Sequence, residues 1–236
     1  MKSRYTYSYG LKRGIPIALG YLSVSFGFGI TAVGQGLKGI EAILISLTNL
    51  TSAGQIAGVG IIASGGSLIE MILTQLVINI RYCLMGLALT QKLDKTFTTP
   101  HRLFTSFGIT DEVFAVGASE NECIGTKYMY GLITLPYIGW AMGTMLGAFA
   151  GEILPQSISS ALSLAIYSMF VAIIIPPAKK NTGVLGCICI SALMSCAFYY
   201  LPVFSKLSSG FSIILCAVIA SVVMALVKPV RGEENE

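Results

Sequence analysis

YMYGLITLPYIGWAMGTMLGAFAG, residues 128–151, is a run of 24 residues without a charged side chain, and it holds Gly139, Gly143, Gly147 and Gly151 at four-residue steps. Its length decides the class, because a helix crossing the hydrocarbon core of a bilayer needs roughly 20 mostly apolar residues. Its glycines decide the packing. Positions four apart share one helix face, and a face of glycines lets another backbone come close. Gly54 and Gly58 repeat the spacing. Charge-free runs of the same kind lie at 14–37, 42–69, 153–178, 181–205 and 207–227, and 71–91 is interrupted only by Arg81. Across 236 residues, 54% are apolar and 11% charged, less than half the charge of a typical soluble domain, about 25%. The chain reads as an all-α polytopic membrane protein.

The runs place spans at about 14–36, 42–64, 67–90, 128–151, 154–175, 181–201 and 207–227. Gly34, Gly36 and Gly39 loosen the end of the first span. Segment 100–119 reads differently. Thr99-Pro100 opens a helix, Gly108 interrupts it, and Thr110-Asp111-Glu112 opens another with acids in its first turn. This is a broken or re-entrant hairpin, giving seven spans, or an eighth span. Lys and Arg counts do not separate the two: each arrangement puts nine of the fourteen loop and tail cations in the cytosol and five outside. Both put Lys127, Lys179, Lys180 and the C-terminus in the cytosol. Pro16 and Gly27 recur 120 residues later as Pro136 and Gly147. A single transmembrane domain, 1–236, built as two repeated halves at about 10–120 and 125–230, fits that echo.

Several classes fall away. The longest polar segment, 92–127, is too short for a folded soluble domain. The net charge of +4 sits at helix ends and is a topology signal, so no nucleic-acid partner is expected. The six cysteines lie mostly within apolar runs without a C-x-x-C pair and read as small buried hydrophobes. With one histidine, two aspartates, no Walker loop and no G-x-S-x-G elbow, the inventory supports neither an enzyme nor an ATP motor. No cofactor is expected, and active transport would need an ion gradient or an external partner.

Polar residues inside spans carry the functional reading, since an intramembrane ionisable group is costly. The third span holds Glu70, Gln75, Asn79 and Arg81. Glu70 and Arg81 are nearly in line but about 16 Å apart, too far for a direct pair. Asn79 and Arg81 point to roughly opposite faces unless the helix unwinds. Arg81 either neutralises an acid on a neighbouring helix or binds a substrate carboxylate; an arginine fork suits both. Asp111 and Glu112 either complement the helix dipole or, in a re-entrant segment, carry a proton. Gln55 and Ser52, beside Gly54, form a polar spot where the second span can break. Glu120 and Glu122 read as solvated helix ends, and His101 as a surface residue.

Taken in order, these residues resemble a known family. Gly14-x-Pro16-x3-Gly20 with Phe26-Gly27 and Gly29, then Gln55, then Asn79-x-Arg81-Tyr82, then Thr110-Asp111-Glu112-x-Phe114 resemble the AzlC-type branched-chain amino acid permeases over roughly residues 10–120. The second half is similar by size and hydropathy. Ser25 stands where the family often has proline. The resemblance implies the large subunit of a two-component exporter in the bacterial inner membrane. Its partner would be a small multi-span subunit of the AzlD type, and its substrates branched-chain or related apolar amino acids.

The reading that joins residues and resemblance is a proton-linked secondary exporter of hydrophobic L-amino acids. Arg81 and Asn79 serve the substrate or its gating network, Gln55 and Ser52 line the site, and Asp111, with Glu112 second, couples the ion. The alternative is a non-transporting membrane interaction subunit of a larger complex. That alternative accounts for the glycine ridges but not for Asn79 and Arg81 interrupting a span.

Overall fold

The computed structural model describes residues 5–153, 155, 157, 171, 174–204 and 207–228. Its helices are α1 (Tyr7–Gly34), α2 (Gly39–Thr48), α3 (Ala53–Ala63), α4 (Leu68–Thr90), α5 (Thr99–Phe107), α6 (Asp111–Ala118), α7 (Thr126–Ile153), α8 (Thr182–Tyr200) and α9 (Ser209–Val227). Five of them, α1, α4, α7, α8 and α9, are long and apolar enough to cross a membrane. The span expected at 154–175 falls almost wholly outside the described residues. Leu68, Ile69, Leu76 and Leu84 on α4 and Leu226 on α9 are exposed, as side chains facing lipid should be.

Two expectations change. Residues 42–64 form two helices, not one. Asn49 ends α2 in an extended conformation, its Oδ1 accepts the Thr51 N–H at 3.1 Å, and Ser52 takes a left-handed φ of 48° before α3 begins. An asparagine bonding its own backbone two residues on offers the chain a turn in place of the helix. All six cysteines are free, and Cys216 alone is buried, so the rest do not pack as core residues within the chain. Segment 100–119 breaks as its caps predict. Pro100 lies in the first turn of α5, Gly108 ends it, and the Thr110 hydroxyl accepts the Val113 N–H to open α6. Gly36, just past α1, has a φ of 95° that a residue with a Cβ rarely adopts.

The chain forms two compact units. One comprises residues 1–59 and 78–166, the other 60–77 and 167–236. The core of the first is the α1–α7 pair. Both helices have 28 residues and they run parallel in register. The backbone of Ala18 lies against Gly139, Leu22 against Gly143, Phe26 against Gly147 and Ile30 against Gly151. The contact is reciprocal at its start: Gly10 faces the backbone of Tyr128 and Leu132, and Gly131 that of Tyr7 and Leu11. Glycine faces on both helices permit this approach. Tyr21 stacks edge-on against Trp140, with ring centres 5.3 Å apart. α2, α5 and α6 pack around the pair. A loop tie completes the unit, with the Asp94 N–H bonded to the Ile124 carbonyl at 3.0 Å and the Ile124 N–H to the Lys92 carbonyl at 2.8 Å.

In the second unit, α8 and α9 pack side by side. The start of α4 is tied to α9 through Glu70, whose Oε1 accepts the Gly210 N–H at 2.9 Å.

Candidate functional site

Breaks in the backbone bring the polar residues of the first unit together. α6 begins at Thr110, so Asp111 and Glu112 occupy its first turn, where the free N–H groups and the helix dipole favour carboxylates. Arg81 reaches this turn from α4. Its Nη1 lies 2.8 Å from Asp111 Oδ2, and the two side chains are 43% and 44% exposed. Two residues the sequence treats as separate candidates are therefore one ion pair, and the partner acid sought for Arg81 is Asp111. The guanidinium lies over the Tyr82 ring, 5.1 Å from its centre, with Nη2 3.4 Å from the Tyr82 hydroxyl. Its Nε–H is buried without a partner among the described residues, so this guanidinium retains a donor for another acceptor.

Glu112 is held from the other side. Tyr21 of α1 is buried, donates its hydroxyl to the Glu112 carboxylate, and shares a 2.6 Å hydrogen bond with the Thr110 hydroxyl. The sequence reading missed Tyr21. A polar-tipped aromatic inside the charge-free run 14–37 was the available signal. Tyr21→Phe leaves Glu112 without this donor, and we expect it to destabilise the protein by about 1–2 kcal/mol. That loss is read in detergent as a Tm lower by roughly 2–8 °C.

Gln55 and Ser52 stand at the α2–α3 break. Gln55 is 1% exposed. Its Oε1 accepts the Ser52 N–H at 3.3 Å and its Nε2 donates to Ser46 Oγ at 3.0 Å, and Ser46 in turn shares a 2.7 Å bond with Thr144 of α7. The Gln55 amide thus stitches both sides of the break to the α1–α7 pair, and it holds Ser52 in a conformation that costs a side chain about 1–3 kcal/mol. A cavity of about 200 Å³ lies between the two breaks. Asn49 and Thr51 line it from the first break, Ser106 and Ile109 from the second, and Tyr82 from α4. Ligand pockets for drug-sized molecules run to roughly 300–1,000 Å³, so this one suits a smaller molecule.

Asn79 is not brought to the Arg81–Asp111 pair by helix geometry. α4 is continuous through both residues, and a separation of two puts them about 200° apart around its axis. Glu120 is a correction to the sequence reading. It is 8% exposed, pairs with Arg13 at 3.2 Å and accepts the Tyr128 hydroxyl at 2.7 Å. Burial beside α1 and α7 requires those partners for its charge. His101 shares a 2.8 Å hydrogen bond with the Tyr130 hydroxyl.

Sequence comparisons place this architecture among membrane proteins. An uncharacterized membrane protein of Archaeoglobus fulgidus is 35% identical, over 72% of this chain and 75% of its own length. Inner membrane protein YgaZ of Escherichia coli is 25% identical over 93% of this chain and 91% of its own length. An uncharacterized membrane protein of Helicobacter pylori is 25% identical over 72% of this chain and 74% of its own. No solved structure matches. The AzlC protein family profile matches residues 16–154, covering both breaks, the Arg81–Asp111 pair and the α1–α7 glycine contact, and the chain is a membrane protein belonging to the AzlC family.

Proposed function

We propose that this protein is a secondary active transporter that exports branched-chain or other hydrophobic L-amino acids across the bacterial inner membrane. It would be coupled to protons and work with a small membrane subunit of the AzlD type. The observation that carries the reading is the Arg81–Asp111 pair, formed at a helix break, half exposed, and flanked by a small cavity with a Tyr82 wall. Interrupted helices are how many transporters present polar backbone to a substrate. The Arg81 fork fits a carboxylate, and the apolar substrate side chain fits against Tyr82 and Ile109. The carbonyl end of α2, at Thr48 and Asn49, suits the substrate ammonium.

The exchange follows from this geometry. A substrate carboxylate and Asp111 compete for the Arg81 guanidinium. Once the substrate has left outward, Asp111 takes up a proton from outside, and its release of that proton inside restores the Arg81–Asp111 pair. Glu112, already bonded to Tyr21, is the secondary carboxylate. Asn79 acts on gating from the other side of α4, and Ser52 with Gln55 keeps the α2–α3 break open beside the cavity.

The parallel run of α1 and α7 supports eight spans with both termini inside. With crossings at α2–α3 and at α4, the two helices point the same way only if the α5–α6 segment also crosses. It also supports a single transmembrane domain of two repeated halves related by an axis along the membrane normal.

The test is efflux of labelled valine, leucine and methionine from preloaded cells expressing this chain with and without its small membrane neighbour. Saturable efflux that requires the partner and is lost in Asp111→Asn supports the proposal. Correct insertion with no flux in any combination overturns it, and an interaction subunit then becomes the leading reading.

A further inference from the structure

The second unit holds a carboxylate that the transport scheme above does not use. Glu70 is 3% exposed, and it is the only charged residue in 60–77. The ion pairs of the described residues join Arg13 to Glu120 and Arg81 to Asp111, and neither neutralises Glu70. From α9, the stretch 207–227 brings no charged residue, Cys216 being its one titratable group; Lys206 lies outside the described residues. What faces Glu70 is the N-terminus of α9, whose Gly210 N–H donates to Oε1 at 2.9 Å. That bond uses one of about four acceptor sites on an ionised carboxylate.

A second observation points into the same place. Thr74, one turn along α4 from Glu70, is fully buried at 0% exposure, and its hydroxyl has no partner among the described residues. Both side chains converge on Gly210: a Cβ there would lie 2.6 Å from Glu70 Oε1 and 2.7 Å from Thr74 Oγ1. Ser208, the N-cap of α9, also has a buried hydroxyl without a partner and makes no side-chain capping bond. A carboxylate that only capped α9 would leave those two hydroxyls idle, each at a cost of about 1–3 kcal/mol. A hard monovalent cation held by the carboxylate and hydroxyl oxygens satisfies all three groups and neutralises the buried charge.

We propose that Glu70, Thr74 and Ser208 form a binding site for a sodium ion. As a second coupling ion beside the proton its role rests on the transport reading above; as a binding site it does not. Sodium is favoured over a proton because a proton on Glu70 gives one donor and satisfies one hydroxyl, whereas sodium gathers several oxygens.

Thermal unfolding of the purified full-length protein in detergent tests this, in sodium against choline at equal ionic strength and at two pH values on either side of neutrality. In the wild type, Tm rises saturably with sodium. Glu70→Gln removes the rise, and Thr74→Val raises the half-saturating sodium concentration by about tenfold, the loss of one oxygen contact to a charge. If Glu70→Gln fails to fold, Thr74→Val, which keeps the carboxylate cap, carries the decision. Stabilisation that follows falling pH and ignores sodium overturns sodium and identifies the cation as the proton. Identical behaviour of wild type and Thr74→Val, with no dependence on either cation, overturns the site. The readout needs no amino acid, so sodium binding without efflux defeats the transport reading while leaving the site intact.

Discussion

Arg81→Ala lowers saturable amino-acid efflux by roughly 10- to 100-fold while the protein still folds and inserts. The flux term is the loss of charge-assisted hydrogen bonds to a carboxylate, about 1.5–3 kcal/mol, at 1.36 kcal/mol per tenfold. The stability term is smaller. Both side chains of the Arg81–Asp111 pair are more than two-fifths exposed, and an ion pair so open to its surroundings contributes about 0–1 kcal/mol. The two magnitudes separate a transport role from a structural one. Arg81→Lys, which keeps the charge but loses the planar fork, retains part of the flux. The double variant Arg81→Asp with Asp111→Arg restores the pair without restoring transport, since the fork then sits on α6. Efflux and the size-exclusion profile are measured on the same preparations. Normal flux in Arg81→Ala, or a variant that is only aggregated, would sink the substrate role.

The largest stability effect is expected at the α1–α7 contact. A Cβ on Gly147 falls on the backbone of Phe26, and one on Gly143 falls on the Leu22 carbonyl and the Ser25 hydroxyl. Backbone cannot step aside as the end of a side chain can, so the two helices must separate along the whole row. Overpacking by a few methylenes costs about 1–3 kcal/mol, and Gly147→Val also pries apart Tyr21 and Trp140 nearby on the same seam. We expect at least about 3 kcal/mol, a Tm lower by roughly 6–12 °C or a failure to accumulate. Gly20 is the control. It lies on α1 with nothing within 4 Å of an added Cβ, so Gly20→Ala is neutral or raises helix stability by up to about 1 kcal/mol. Equal effects at the two positions would mean that the helices do not meet on this face.

The membrane class, the helices and their caps were legible because they depend on residues within four positions of one another. Charge-free length gave the five long apolar helices, four-residue glycine steps gave the seam on α7, and Thr110 after Gly108 gave the start of α6. Residue types in chain order also pointed to the AzlC family. Other features were out of reach. Arg81 and Asp111 are 30 positions apart, Tyr21 and Glu112 are 91 apart, and Arg13 and Glu120 are 107 apart. No local period links such pairs. Glu120 at the end of α6 looks like any solvated acid until α1 and α7 close over it. The α2–α3 break shows the same limit: Asn49 can turn the chain or continue a helix, and buried Gln55, anchored through Ser46 to Thr144 of α7, tips the choice. Local propensity sets which helices form, whereas the desolvation of each polar group, which sets its partner, depends on what packs against it.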